Sequence, residues 1–501
     1  MNPSALQFHV LGPVAFVSIG SLAVLLGEVF LSRKVDPGDK EVAEARIGSL
    51  LAAISTVSLL LAIYAAGFAF FHGTSAAFNP GNPMLSLDPL SSFAMMLVGV
   101  GALLSVWLSI TYLPALHINH GEYYALLLLA TAGMFVMISS VNMIAVFMGL
   151  ELMSIPIYAL AGFNRGNLRS NESGLKYFII GTFASAILLY GMALLYGATG
   201  HTDFAGIRAA FDPSSPLAVA GLVLVVVGFA FKISSVPFHQ WTPDVYEGAP
   251  TSVTAFMSVT VKTSAFVILL RFLTLALPEV GDDLNAVFWV LAALSMVVGN
   301  FMAIIQTNVK RLLAYSSIAH AGYLLVGFVA GTEEARAAVL FYLMIYMFMN
   351  LGAFGVVVAL AQGGRESDRI DDFAGLAQRR PGLAALMTLF MLALAGIPGT
   401  AGFMGKFYIF SAAVQAGYIW LAILGVLTSV VSVYYYLRVP VAMYMSDDTE
   451  EEPAEASSSE LVVLGLCALA VIYFGLFPNH DPLFDALRLL DLAGTAIAQV
   501  P

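Results

Sequence analysis

Four ionisable residues lie inside long apolar stretches of this 501-residue sequence. Glu151 is the one charged residue in VFMGLELMSIPIYAL, which covers residues 146–160. Lys232 follows GLVLVVVGFAF, Lys262 lies within SVTAFMSVTVKTSAFVILLR, and Lys406 lies within IPGTAGFMGKFYIF. Burial disfavours the charged form of an amine, whereas a nearby carboxylate favours it. Such groups can therefore take up and release protons when their surroundings move, and they point to proton transfer.

The composition shows where these groups must lie. Hydrophobic residues make up 59% of the chain and charged residues only 11%, whereas a soluble domain is about 25% charged. So few charges cannot coat a soluble particle of this size, which indicates a polytopic membrane protein surrounded by lipid. The single cysteine, Cys467, excludes a disulfide framework and cysteine ligation of an iron–sulfur cluster by this chain alone. No metal site and no nucleic-acid-binding pattern is indicated.

The hydropathy pattern predicts an all-α fold of about fourteen transmembrane helices. A spanning helix needs roughly 20 mostly apolar residues. The fourteen predicted spans cover residues 10–31, 47–71, 90–113, 123–139, 142–163, 174–197, 215–235, 250–273, 286–306, 309–330, 335–361, 383–412, 416–440 and 459–478. The least marked separations are SSVN, between spans 4 and 5, and QTNVKR, between spans 9 and 10.

Basic residues in the loops predict the orientation, since cytoplasmic loops are enriched in Lys and Arg. The odd-numbered loops hold thirteen: Arg33, Lys34, Lys40, Arg46, Arg165, Arg169, Lys310, Arg311, Arg365, Arg369, Arg379, Arg380 and Arg438. The opposite side holds four: Arg208, Arg271, Arg336 and Arg488. We therefore expect cytoplasmic odd-numbered loops and both termini on the other side of a bacterial inner membrane, in the periplasm.

Two of the lysines neighbour residues that break helices. Lys232 precedes SSVPFHQWTPD, and Lys406 follows AGIPGTAG. Discontinuous helices at matching positions of two halves are typical of transporters built from repeats. The breaks fall in spans 7 and 12, which suggests two inverted five-helix repeats, spans 4–8 and 9–13. The resulting expected units are N-terminal spans 1–3 (1–122), a first antiporter-like repeat (123–273), a second (286–440), and an acidic loop with span 14 and the tail (441–501).

Each charged residue also has a structural explanation. Lys176 lies near a span end and could reach the interface with its long side chain. An ion pair that holds helices together explains two buried charges, but four deep ones leave two unexplained. His320, in KRLLAYSSIAHAGY, fits either a hydrogen-bonded core residue or a proton relay, because histidine titrates near neutrality.

Several of these stretches resemble the subunit N family of the proton-translocating NADH–quinone oxidoreductases, respiratory complex I. The resemblance runs from about residue 85 to 445 and rests on GLELMSIPIYAL, GLKYFIIGTFASAILLYGMALLYGATG, GFAFKISSVPFHQWTPDVYEGAP, QTNVKRLLAYSSIAHAGYLL, LALAGIPGTAGFMGKFYIF and VSVYYYLRV. The sister subunit M carries a glutamate where Lys406 stands, which favours subunit N.

The resemblance implies roles for the charged residues. Glu151 matches the family's glutamate of span 5, which pairs with the lysine of span 7, here Lys232. Lys262 matches the central lysine of span 8, and Lys406 the lysine of span 12 near the exit. Lys176 matches a further lysine at the start of span 6. In this family, protons are thought to cross through two half-channels joined by a central polar axis.

The resemblance also implies partners. This chain would hold no cofactor of its own, and NADH, FMN, iron–sulfur clusters and quinone would bind to other subunits. Its neighbours would be an M-like antiporter subunit and small membrane subunits, which connect it to the peripheral redox arm. The same Lys/Glu pairs would also suit a subunit of a Na⁺/H⁺ antiporter of the Mrp type, and a scaffold without transport is a third alternative.

Overall fold

In the computed structural model, residues 8–32, 40–78, 83–277, 281–361, 363–446 and 456–478 are described. Over these residues, twelve helices are long and apolar enough to cross a membrane. The first nine helices are α1 (Gly12–Ser32), α2 (Lys40–Phe71), α3 (Pro89–Ala115), α4 (Gly121–Ser139), α5 (Met143–Ala161), α6 (Leu168–Thr199), α7 (Phe204–Ala210), α8 (Pro216–Lys232) and α9 (Trp241–Gly248). The predicted all-α polytopic membrane fold is confirmed.

The second half of the chain continues in the same way. Its helices are α10 (Thr251–Ala276), α11 (Gly281–Ile304), α12 (Val309–Ala330), α13 (Glu333–Ala359), α14 (Leu376–Arg379), α15 (Pro381–Ala395), α16 (Ala401–Gln415), α17 (Ile419–Met445) and α18 (Ser458–Leu476). Two short 3₁₀ helices cover Phe8–Leu11 and Ile370–Phe373. The acidic segment 447–455 and the tail that carries Arg488 lie outside the described residues.

Asparagine caps produce the two least marked separations. The side chain of Asn142 accepts a hydrogen bond from the Ile144 amide and starts α5. Asn308 accepts one from the Arg311 amide and starts α12. Each cap satisfies an amide that has no partner within its helix. Both asparagines also form an isolated β-bridge to a later loop, Asn142 to Asp203 and Asn308 to Arg369.

Spans 7 and 12 are broken, as the sequence predicts. α8 ends at Lys232, and α9 begins only at Trp241 after a turn in which Ser234 has a positive φ of 61°. α15 ends at Ala395, and α16 begins at Ala401. Between them, Gly396 and Gly399 have φ of 84° and 89°, a region that glycine enters without steric cost. Both breaks leave helix ends inside the protein.

Small residues let neighbouring helices approach closely in both halves. A Cβ added at Gly133 of α4 would lie 2.2 Å from the Met153 amide of α5. A Cβ added at Gly299 of α11 would lie 2.6 Å from the Ala319 amide of α12. Close backbone contact of this kind is how helices associate in lipid, where no hydrophobic force drives them together.

Three helices form the centre of the molecule. The most apolar windows of α10 and α12 are 100% buried and that of α13 is 94% buried, against 22% for α1 and 33% for α6. The outer helices expose large apolar side chains such as Phe183 and Trp420, as expected for surfaces that meet lipid or partner subunits. The central helices also carry Lys262 and His320.

A short antiparallel hairpin, Ala76–Phe78 with Leu85–Leu87, precedes α3 and was not predicted from the sequence. The next residue, Asp88, caps α3 through the Ser91 amide and binds Arg271 of α10 at 2.6 Å. Both charged side chains of this ion pair are fully buried. Arg271, counted above as a loop residue, therefore joins two spans inside the protein.

Candidate functional site: a row of buried lysines

Glu151 lies on the outward side of α5, half-buried, on the same face as the exposed Met148 and Ile155. Its Oε1 atom is buried and accepts no hydrogen bond. The structure shows no ion pair between Glu151 and Lys232 among the described residues. The pairing implied by the family resemblance is therefore absent from this arrangement, and the proposed role of Glu151 stays a prediction.

Lys232 is the last residue of α8 and is 3% exposed. Its ammonium donates to Ser154 Oγ at 2.8 Å and to Tyr158 OH at 3.4 Å. Both acceptors belong to α5, one and two turns beyond Glu151. Tyr158 and Tyr177 also present their rings at 5.6 and 6.0 Å from Nζ, within range of a cation–π attraction. Neutral oxygens and rings thus surround this amine.

Lys262 is buried in the middle of α10. Its ammonium donates to the carbonyl and the hydroxyl of Ser317 on α12. Carbonyl and hydroxyl oxygens solvate an ammonium without fixing its proton as a carboxylate would. The central lysine of the chain is therefore held between the two innermost helices by a neutral partner.

His320 lies on α12, one turn beyond Ser317, the residue that binds Lys262. Its Nδ1 lies 2.6 Å from Tyr342 OH, and its Nε2 lies 3.0 Å from Tyr436 OH. Tyr436 OH is also hydrogen-bonded to Ser316, the neighbour of the residue that binds Lys262. Both ring nitrogens of His320 therefore have a tyrosine hydroxyl as partner. This arrangement suits a relay and also a hydrogen-bonded core residue.

Lys406 lies in the second turn of α16 and reaches back across the break in span 12. Its ammonium donates to the carbonyls of Leu394 and Ala395 at 3.1 and 2.9 Å, and to Ser429 Oγ at 2.8 Å. The two carbonyls end α15, where the helix dipole is negative and favours a cation. Tyr323 places its ring 5.0 Å from the ammonium. The break thus creates the site that holds this lysine.

A groove opens beside Lys406. It has a volume of about 930 Å³ and runs between α16 and α17. Gly396, Ser429 and Lys406 line its inner end, and apolar residues such as Phe407 and Val430 line its outer part. The groove therefore connects the outer face of α16 and α17 to the buried amine.

Lys176 has a different environment from the other lysines. Its side chain is 40% exposed and pairs with Asp244 of α9 at 2.8 Å and with Glu172 at 2.5 Å. Asp244 also binds Arg311 of α12 at 2.7 Å, and Arg311 binds Glu247 at 2.9 Å. Lys176 therefore takes no part in the hydrogen bonds of Lys232 described above. Instead, α9 connects α6 to α12 through shared carboxylates.

A further ion pair lies below Lys262, towards the predicted cytoplasmic side. Lys310 Nζ, fully buried, donates to Glu366 Oε2 at 2.9 Å and to the Ala249 carbonyl at 2.7 Å. Glu366 Oε1 accepts from the amide and hydroxyl of Thr251 at 2.9 and 2.6 Å and from Tyr112 OH. Burial raises the pKa of the Glu366 carboxyl, but Lys310 and these hydrogen bonds outweigh burial and lower that pKa.

Glu366, Lys310 and Asp244 carry interactions that the sequence analysis missed. Lys310 was counted as a loop residue, and Glu366 lies in GGRESDR, which is typical of a solvated loop. Asp244 lies within PFHQWTPDVYEGAP, a stretch used for the family resemblance but given no role of its own. The specificity of that stretch was the one signal that could have identified Asp244.

Comparison with known proteins shows which family this sequence matches. Residues 140–432 match the family described as NADH:quinone oxidoreductase/Mrp antiporter, TM. NADH-quinone oxidoreductase subunit N of Trichlorobacter lovleyi is 46% identical over 89% of this chain and 89% of its own length. A chain of respiratory complex I from Thermus thermophilus, solved with bound aureothin, is 33% identical with a TM-score of 0.77, covering 96% of this chain and 99% of that one.

A more distant structure has the same fold. A chain of the Mrp complex from Dietzia sp. DQ12-45-1b superposes with a TM-score of 0.83, covering 98% of this chain and 97% of that one, at only 21% identity. The fold alone therefore does not separate oxidoreductase from antiporter subunits. The sequence identity does, and the chain belongs to the NADH-quinone oxidoreductase subunit N family.

Proposed function

We propose that this chain is a proton-translocating membrane subunit of an NADH–quinone oxidoreductase. The observation that carries the proposal is the chemistry around Lys232, Lys262 and Lys406. Each is at most 5% exposed, and each is hydrogen-bonded to hydroxyl or carbonyl oxygens with no carboxylate partner among the described residues. Amines buried in a membrane protein and not neutralised by an acid mark ion and proton pathways by default.

The proposed path runs through the buried ionisable residues from the first half of the chain to the second. Glu151 and Lys232 exchange a proton in the first half, Lys262 receives it at the centre, and His320 passes it towards Lys406. Ser317 binds Lys262, and the hydroxyls of Ser316, Tyr436 and Tyr342 form the contacts around His320. Water completes the path where protein groups do not touch. Movement of Glu151 relative to Lys232 acts as the switch, because the carboxylate favours the charged amine when the two are close.

The proposed architecture is fourteen spans in two inverted repeats. The twelve long helices together with the broken pairs α8–α9 and α15–α16 make fourteen crossings. The units are residues 1–122, 123–273, 286–440 and 441–501. Five spans per repeat place the starts of the two repeats on opposite sides of the membrane. The paired caps Asn142 and Asn308, each with a β-bridge to a later loop, support this symmetry.

The proposed setting is the inner membrane of a bacterium, with periplasmic termini. The partners are an M-like antiporter subunit, small membrane subunits and, through them, the redox arm that binds NADH, FMN, iron–sulfur clusters and quinone. We propose H⁺ rather than Na⁺ as the transported ion, because relatives named subunit N reach 46% identity, whereas the Mrp chain shares only the fold at 21%.

Substitution of Glu151 tests the proposed switch. Glu151→Gln keeps the size and removes the charge, so that NADH-driven proton uptake by inverted vesicles should fall at least about tenfold, which corresponds to about 1.4 kcal/mol on the barrier. Glu151→Asp keeps the charge and should retain more uptake. Uptake is divided by the amount of assembled complex on native gels, and omission of Na⁺ from the buffers tests the choice of ion.

Glu334→Gln is the matched control, since Glu334 is exposed at the start of α13 and lies outside the proposed path. It should pump like the parent. If Glu151→Gln also pumps like the parent, the carboxylate has no part in translocation. If Gln and Asp abolish assembly equally, Glu151 only holds the fold together and the switch is refuted.

A further inference from the structure

The Lys310–Glu366 ion pair has no place in the path proposed above, although its environment is specialised. It joins α12 to the loop after α13, and the carboxylate also contacts α3 and α10 through Tyr112 and Thr251. The pair therefore lies where three spans meet, at the first residue of the helix that carries Lys262. A buried ion pair contributes little net stability, so stability alone does not explain this arrangement.

Two polar residues of α13, Tyr346 and Asn350, lie deeper in the protein than the ion pair, on the side away from the predicted cytoplasm. Among the described residues, Tyr346 OH and both amide atoms of Asn350 are buried without a well-formed hydrogen bond, although Tyr346 OH lies near the side chains of Ser317 and Asn350. Asn350 is fully buried. Buried polar groups are nearly always hydrogen-bonded to protein or to ordered water, and a buried water typically serves two to four such groups. We therefore expect ordered water beside Tyr346 and Asn350.

Contacts along α13 place these groups between the ion pair and His320. Tyr346, Asn350 and Phe354 are spaced four residues apart and share one face of the helix. The ring of Tyr346 lies 5.1 Å from that of His320. The ring of Phe354 lies 6.4 Å from that of Tyr246 in α9, and Lys310 binds the carbonyl of Ala249 just after α9. Asn350 therefore lies between His320 and the Lys310–Glu366 ion pair.

The distance along α12 between the ion pair and the residue that binds Lys262 is short. Ser317, which binds Lys262, follows Lys310 by seven residues on α12, or roughly 10 Å at 1.5 Å per residue. Hydrogen-bonded oxygens lie about 2.8 Å apart, so that roughly three waters span this distance. Asn350 and Tyr346 supply donors and acceptors along it.

We propose that the Lys310–Glu366 ion pair is the gate between the predicted cytoplasmic side and the water around Tyr346 and Asn350, and that protons reach Lys262 through it when the pair opens. The proposal rests on the proposed proton translocation and adds its point of access. With the pair closed, Lys310 and Glu366 bind each other between α12 and the loop after α13 and keep water on the two sides apart. Opening separates Glu366 from Lys310 and lets water connect.

Cysteine accessibility tests the gate without any measurement of pumping. Asn350→Cys is introduced into the complete complex, and inverted vesicles are treated with an impermeant methanethiosulfonate reagent. Modification of the peptide that carries the introduced thiol is followed by mass spectrometry, with the buried Cys467 as an internal reference. Labelling of Asn350→Cys alone should be slow. Adding Glu366→Ala should speed it at least about tenfold, because labelling follows the open population.

Asp244→Ala in the same Asn350→Cys background is the matched control, since it breaks ion pairs on the same side of the protein without contacting Glu366. Its labelling rate should equal that of Asn350→Cys alone. Glu366→Gln keeps acceptors for Thr251 and Tyr112 and should give a smaller increase, which decides the question if Glu366→Ala does not assemble. The gate is refuted if the Glu366 variants label no faster, or if Asp244→Ala accelerates labelling equally.

The outcome separates the gate from the proposed function. Faster labelling in the Glu366 variants, together with parental pumping in Glu151→Gln and Lys406→Met, supports the gate and refutes the proposed proton path. Unchanged labelling, together with lost pumping in those two variants, removes the gate and supports the path.

Discussion

Replacing Lys406 by Met separates the role of its charge from its role in packing. The ammonium holds two carbonyls at the end of α15 and the hydroxyl of Ser429. Met has similar length and no charge, so the variant removes three hydrogen bonds while filling most of the same space. We expect assembly to remain near the parental amount and proton pumping to fall at least about tenfold, or about 1.4 kcal/mol on the barrier.

The small effect on stability follows from two opposing quantities. Leaving the carbonyls of Leu394 and Ala395 without the lysine costs about 1–3 kcal/mol each. Removing a buried ammonium returns several kcal/mol of desolvation energy. These two contributions are of similar size and opposite sign, so we expect a net destabilisation too small to prevent assembly.

Arg438→Met provides a matched control. Arg438 donates to the carbonyls of Ile304 and Gln306 at 2.6 and 2.9 Å, so it also holds the carbonyl end of a helix, but outside the row of buried lysines. Proton uptake per assembled complex is measured for both variants in inverted vesicles with NADH. Parental pumping by Lys406→Met, or equal losses in both variants, would show that Lys406 acts only as a helix cap.

Three further predictions follow from the contacts. Gly396→Ala forces a left-handed residue at about 1–2 kcal/mol and puts a Cβ 3.1 Å from Lys406 Nζ, so pumping should fall, as vesicle assays would show. Arg271→Met leaves Asp88 buried and unpaired at a cost of about 3–5 kcal/mol, lowering the midpoint of thermal unfolding; adding Asp88→Asn should restore part of it. Because the pKa of Glu366 is lowered below 4.5, its carboxylate should stabilise the fold equally from pH 5 to 8 and lose this effect only on further acidification. The difference in the midpoint of thermal unfolding between the parent and Glu366→Gln measures this contribution at each pH.

Local patterns were enough to predict the helices and their breaks. The apolar runs set the spans, Asn142 and Asn308 end the connections that hydropathy barely marks, and the glycines around Pro398 interrupt span 12. Such features are read within a few residues of sequence. The same applies to the burial of Lys262 and Lys406, because a long apolar run leaves a lysine no route to water.

Partnerships between distant segments could not be predicted in this way. The sequence indicated a Glu151–Lys232 pair through the family resemblance, yet Lys232 instead binds Ser154, which lies on the same helix as Glu151. Glu366 is surrounded by polar loop residues, and only the folded chain brings it against Lys310 and Thr251. Which oxygen lies nearest to an amine depends on helix rotation and depth, which a hydropathy pattern does not determine.

The sharing of Asp244 has a consequence for communication between the two halves. One carboxylate binds Lys176 of α6 through Oδ2 and Arg311 of α12 through Oδ1, so it holds both cations at once. A movement of Asp244 therefore changes both contacts, and by reciprocity each cation's helix changes the energy of the other by the same amount. The eight-residue α9 can thus transmit a change in the charge of Lys176 on α6 to the position of Arg311 and its helix α12.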